Sequence, residues 1–171
     1  MRRAPTLLNS CARAATAAEA RFRIAYQDAT TRASRIIALD EQAAAVVRRV
    51  AVQHWSGGHF LVFEAAVPMG GPEGQPADAR LRAVDGSEVL LTEELEGADV
   101  AVMIGTANAR AEAASVVGQA CAMRRIMSAG LIVSDVDEVD EAVAALRPNA
   151  MVLVILKNEN DVPPMLTALR V

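Results

Sequence analysis

GADVAVMIGTANARAEAASVVGQACAMRRIMSAGLIVS, residues 97–134, decides the fold of this chain. It opens on an apolar run, residues 100–104, short and β-rich, which reads as a buried parallel strand. The small-residue turn Gly105-Thr106-Ala107-Asn108 follows, then an alanine-rich segment of about four turns with a 3.6-residue period. A second apolar run covers residues 129–133. Together these make one complete βαβ unit. Sheets built from such units hold ligands at the turns that follow the carboxyl ends of their strands, so residues 105–110 are the first candidate site.

The same alternation runs outward in both directions. Residues 34–39 (SRIIAL) read as the first strand, and residues 43–52 as a helix with Val46, Val47 and Val50 along its apolar stripe. After the turn Ser56-Gly57-Gly58, residues 59–65 (HFLVFEA) form the second strand. The stretch PMGGPEGQP, residues 68–76, is so rich in Pro and Gly that it predicts a mobile surface loop over residues 68–79. Residues 80–84 and 88–91 flank Asp85-Gly86, which signals a hairpin or else one short edge strand after a loop. Thr92 is placed to cap a helical turn carrying Glu93 and Glu94.

Beyond the βαβ unit, Ser134 or Asp135 is placed to cap a helix over residues 138–146, which Pro148 ends. Residues 151–156 (MVLVIL) are the last strand, and residues 162–171 a closing helix with Pro163 and Pro164 in its first turn. The expectation is an α/β, three-layer, doubly wound domain over residues 34–171. Its sheet is mainly parallel, with five to six strands and helices on both faces. Residues 1–33 carry Arg2, Arg3, Arg13, Arg21 and Arg23 and read as a basic helical arm, with Phe22, Ile24 and Tyr26 available to dock on the domain. A cleaved transit peptide has similar composition.

Composition narrows the function. The chain has 171 residues, 53% apolar with only 3% aromatic, so the core is built from Ala, Val, Leu, Ile and Met. A net charge of −4 with no basic run in the body argues against nucleic acid as a partner. No apolar run approaches the roughly 20 residues that span a bilayer. Cys11 and Cys121 sit at no metal-ligand spacing, which predicts free thiols and a cytoplasmic location. Lys157 is the only lysine.

The turns offer little catalytic chemistry. Neither GxGxxG nor GxxxxGK[ST] occurs. Asp40 and Glu41 follow the first strand, where two carboxylates would repel a phosphate by about 1 kcal/mol or more each. They suit a divalent cation, or a helix start with Asp40 as its cap. His54 and His59 fall on the helix-to-strand rim, away from the ligand turns, and Cys121 falls among apolar residues in mid-helix. No Ser-His-Asp elbow is present.

Taken as an ordered series, the turns resemble the nucleotide-binding half of the FtsZ/tubulin family. RIIALDEQAAAVVRRV stands where that family has its first strand, glycine-rich turn and helix. LEGADVAVMIGTANARAEAASVV is similar to its "GAD", strand and glycine-threonine phosphate loop, and IMSAGLIVS to its next strand. ALRPNAMVLVILKNENDV is similar to its last strand, which ends in an Asn-Asp/Glu pair beside the base. The resemblance implies GTP or another nucleotide as the ligand. It implies Gly105, Thr106, Asn108 and Arg110 for phosphate, Asn158 for the base, and Asp40 at the first turn.

The signature loop of that family is nearly all Gly and Thr, however, and here Ala107, Ala109, Ala111 and Glu112 replace it. Each added Cβ stands where bare backbone must meet phosphate. The expectation is therefore a non-catalytic module with no cofactor, acting through a protein partner or self-association. A nucleotide-binding protein or weak NTPase using residues 105–110 is the alternative. Asp40-Glu41, Ser134 and Lys157 also resemble an inactive response-regulator receiver domain, in which the phosphate-accepting Asp should end the strand that here ends in Ile104 and Gly105.

Overall fold

The computed structural model describes residues 31–68, 78–136 and 138–171. The described elements are β1 (Ser34–Ala38), α1 (Glu41–Ala51), β2 (Gly58–Val67), β3 (Asp78–Ala83), β4 (Glu88–Leu90) and α2 (Leu91–Glu94). They continue as β5 (Val100–Gly105), α3 (Ala111–Arg124), β6 (Met127–Val133), α4 (Asp140–Leu146), β7 (Val152–Leu156) and α5 (Val162–Ala168). The expected arm lies outside the described residues but for positions 31–33, and so does most of the expected Pro/Gly loop.

One seven-stranded sheet holds the strands in the order β4-β3-β2-β1-β5-β6-β7. β2, β1, β5, β6 and β7 run parallel, while β3 and β4 are antiparallel additions at one edge. Among the described residues the sheet is therefore mixed and has seven strands, not the expected five or six. The Asp85-Gly86 signal marks a true hairpin in which Leu81 pairs with Val89. Asp85 tightens that turn by accepting from the Ser87 hydroxyl and amide, and these bonds hold its carboxyl below the usual range.

Residues 36–39 and all of β5 are apolar because alternate residues feed two separate cores. Ile36 and Ala38 join Val46, Val47 and Val50 of α1 and Val162 and Leu166 of α5. Ile37 and Leu39 join Ala113, Val117 and Cys121 of α3 and Ala142 and Leu146 of α4. Glycine at position 118 lets the turn after α4 close on α3, since a Cβ there would stand 2.5 Å from Asn149 Cβ.

Two expected caps are corrected. Ser134 turns on itself, its hydroxyl accepting from the Val136 amide and donating to the Val136 carbonyl; α4 starts only at Asp140 with no side-chain cap. Thr92 lies inside α2 and donates its amide and hydroxyl to Asp78, a buried carboxylate that opens β3. Among the described residues, no helix is long and apolar enough to cross a membrane.

Candidate functional site

The strand order reverses at β1: the chain leaves it toward β2 on one side and returns to it as β5 on the other. The carboxyl ends of β1 and β5 thus flank the switch point, where α/β sheets open a crevice for ligands. Asp40 follows β1, and Gly105 to Asn108 follow β5.

Asp40 is buried, and both its oxygens are engaged. Oδ1 accepts the Ala43 amide at 2.8 Å, which caps α1. Oδ2 accepts the Thr106 amide at 2.8 Å, and the Thr106 hydroxyl lies 3.1 Å from Oδ1. That hydroxyl also lies 3.2 Å from Gln42 Oε1, which accepts from Asn108 Nδ2 at 3.3 Å, and it receives the Asn108 amide at 3.2 Å. The two turns are thereby laced together. The loop is tight as well: a Cβ on Gly105 would sit 2.6 Å from Ala109 Cβ, so only glycine fits beneath this turn.

Arg110 points the other way along the sheet edge. Its guanidinium donates to the carbonyls of Leu39 at 3.2 Å and Phe63 at 2.9 Å, and reaches that of Glu64 at 3.4 Å. It also lies 5.0 Å over the Phe63 ring. The β1–β2 pairing ends at Ala38 and Val62, one residue before Phe63, and the pairing of β2 with β3 shifts register between Phe63 and Ala65. Arg110 therefore ties β1, β2 and the start of α3 together.

Two cavities lie beside the Asp40–Thr106 bridge. One of about 480 Å³ is lined by Asp40, Glu41, Arg48, Glu64, Arg82 and Arg110; Arg82 is paired to Glu64 and Arg48 to Glu41, while Arg110 is held by the carbonyls of Leu39 and Phe63. The other, about 550 Å³, is lined by Gln42, Thr106, Ser134, Lys157 and Asn158. Asn158 uses its side-chain oxygen to accept the Asn160 amide and so caps the short turn after β7. Arg49 and Glu159 form an ion pair over the same rim.

Of the residues expected to form a site, Asp40, Gly105, Thr106 and Asn108 come together as one hydrogen-bonded group. Arg110 lies against the first cavity and Asn158 against the second. Gln42 belongs to the group although its sequence context gave it no weight; its signal is its place two residues after Asp40, on the first turn of α1. Among the described residues there is no cluster of metal-ligating side chains. His59 pairs with Glu94 at 3.1 Å on the opposite, amino-terminal rim. No protein family, curated protein or solved structure matches the chain.

Proposed function

We propose that this chain is a non-catalytic protein-contact module of the cytoplasm. In this reading its scaffold is a doubly wound, Rossmann-like domain of the FtsZ/tubulin type that has given up nucleotide chemistry. The observation that carries it is the Asp40 carboxylate, which takes the Thr106 and Ala43 amides at 2.8 Å each. These are the backbone donors a phosphate would need at the switch point. A phosphate entering there meets a fixed negative charge and would have to break both bonds. Repulsion at such distances amounts to about 1–4 kcal/mol between water-like and protein-surface dielectrics.

One observation favours a second reading, nucleotide binding: Thr106, Lys157 and Asn158 share the wall of a cavity of about 550 Å³. Thermal unfolding distinguishes the two. With GTP, GDP, ATP or NAD at millimolar concentration the melting temperature is expected to stay unchanged. A rise of several degrees with any one of them would sink the protein-contact reading and promote the second, because tight binding to the native state stabilises it by linkage.

A further inference from the structure

The two edges of the sheet are built differently. β4 closes one edge with only three residues, begins with Glu88 and runs straight into α2. Short length and charge are common ways of keeping a sheet edge from pairing with another chain. β7 closes the other edge with Val152-Leu153-Val154-Ile155-Leu156, and no charged residue or proline interrupts the chain between Pro148 and Lys157. Val152 is 50% exposed and Ile155 45%, and Met151 just before them is 75% exposed. Among the described residues no strand pairs with the outer side of β7.

The register shows which backbone groups are open. β6 and β7 pair in parallel with Val133 opposite Leu156, and the Ser134 amide donates to the Leu156 carbonyl at 2.9 Å. In a parallel ladder the bonded residues of a strand alternate, so Val154 and Leu156 turn their backbone groups toward β6. Leu153 and Ile155 therefore turn their N–H and C=O groups outward.

We infer that β7 pairs antiparallel with β7 of a second copy of this chain about a two-fold axis at Val154, giving one continuous sheet. This deepens the protein-contact reading above and rests on it. The symmetry pairs Leu153 with Ile155 of the second copy, twice, so that their outward N–H and C=O groups satisfy each other. Charge selects this orientation. Exposed Arg147 lies before β7, and exposed Lys157 and Asp161 lie after it, with Glu159 already tied to Arg49. Antiparallel pairing about Val154 sets Arg147 toward Asp161 of the other copy and Lys157 beside uncharged Met151, whereas parallel pairing would oppose Arg147 to Arg147 and Lys157 to Lys157. Within the strand no charges face each other in either case.

Sedimentation of the full chain tests the inference. At about 100 μM, above the dissociation constant expected of a small strand-edge interface, the mass should be twice the 18.0 kDa of one chain. Ile155→Pro removes one outward N–H without touching the ladder to β6, and Val152→Lys puts a charge on the exposed edge. Each should return the mass to 18.0 kDa. Amide exchange of the unaltered chain gives a readout that needs no variant. Protection of the Leu153 and Ile155 amides should rise with concentration, while that of Val154 and Leu156 stays constant.

A monomer at that concentration, or a dimer that survives both substitutions, overturns the inference. So does protection at Leu153 and Ile155 that is concentration-independent; when high, it would mean that another segment of the same chain covers β7. A monomer whose melting temperature ignores nucleotides would overturn only the β7 pairing. A nucleotide-induced rise would overturn the protein-contact reading whatever the mass.

Discussion

The Asp40 carboxylate accepts the Thr106 amide at 2.8 Å and so bolts the end of β1 to the end of β5 across the point where the strand order reverses. Asp40→Asn should expose how much this bond matters. An amide keeps one acceptor oxygen and turns an NH2 group toward either the Ala43 or the Thr106 amide, leaving a buried donor unpaired. The expected loss is about 1–3 kcal/mol, read as a lower urea midpoint at unchanged slope. Asp40→Ala should cost more, since the cap of α1 is lost as well, about another 1 kcal/mol.

Arg110→Ala should destabilise the chain by about 1–3 kcal/mol, because the carbonyls of Leu39 and Phe63 lose a charged donor and the Phe63 ring loses its cover. Arg110→Lys should recover less than half of that loss in the same urea titration. A single ammonium lacks the planar fork that reaches both carbonyls at once. Full recovery by lysine would mean that charge alone matters at this position.

Gly118→Ala should lower stability even though alanine favours helix by about 1 kcal/mol over glycine. The new Cβ would stand 2.5 Å from Asn149 Cβ, and Asn149 is held in place by donating Nδ2 to the Ala145 carbonyl at 3.0 Å. Overpacking of this kind costs about 1–3 kcal/mol. A melting temperature at or above that of the parent chain would show that the turn yields.

Cys121 is fully buried, and burial pushes its thiol up to about 11 from 9.0, with Arg124 opposing only weakly. In a Cys11→Ser background, a disulfide exchange reagent at pH 8 should label Cys121 at least about 100-fold more slowly in the native state than in urea. The folded chain keeps this proton to higher pH than the unfolded chain does. The site's contribution is therefore full below pH 9 and declines as pH rises toward 11. Stability against urea should fall across that window, and Cys121→Ala should flatten the fall.

The sequence was most legible where burial is most complete. Residues 100–104 and 36–39 are apolar without interruption because both faces of β5 and β1 are covered, and Asp85-Gly86 marks its hairpin by local turn chemistry alone. Asp40 also declared itself as a cap, because a cap bonds within three residues. What stayed hidden depends on partners far along the chain. Nothing near Asp78 reveals that it receives Thr92, so Thr92 read as a cap and Asp78 as part of a loop. The direction of Arg110 depends on carbonyls 71 and 47 residues earlier in the chain, and the lacing of Gln42 to Thr106 and Asn108 requires β1 and β5 to be neighbours.

The central position of β1 has a kinetic consequence. Ser34 pairs with Gly58 on one side but with Val100 on the other. The β3–β4 hairpin closes over a few residues and can form within about 1–10 μs, whereas the β1–β5 pairing must wait for a long loop to close. A growing or refolding chain therefore carries Ile36 and Ile37 on an open apolar strand until β5 arrives. Refolding yield should fall steeply with protein concentration, and a chaperone that shields bare strands should act on this chain before β5 is made.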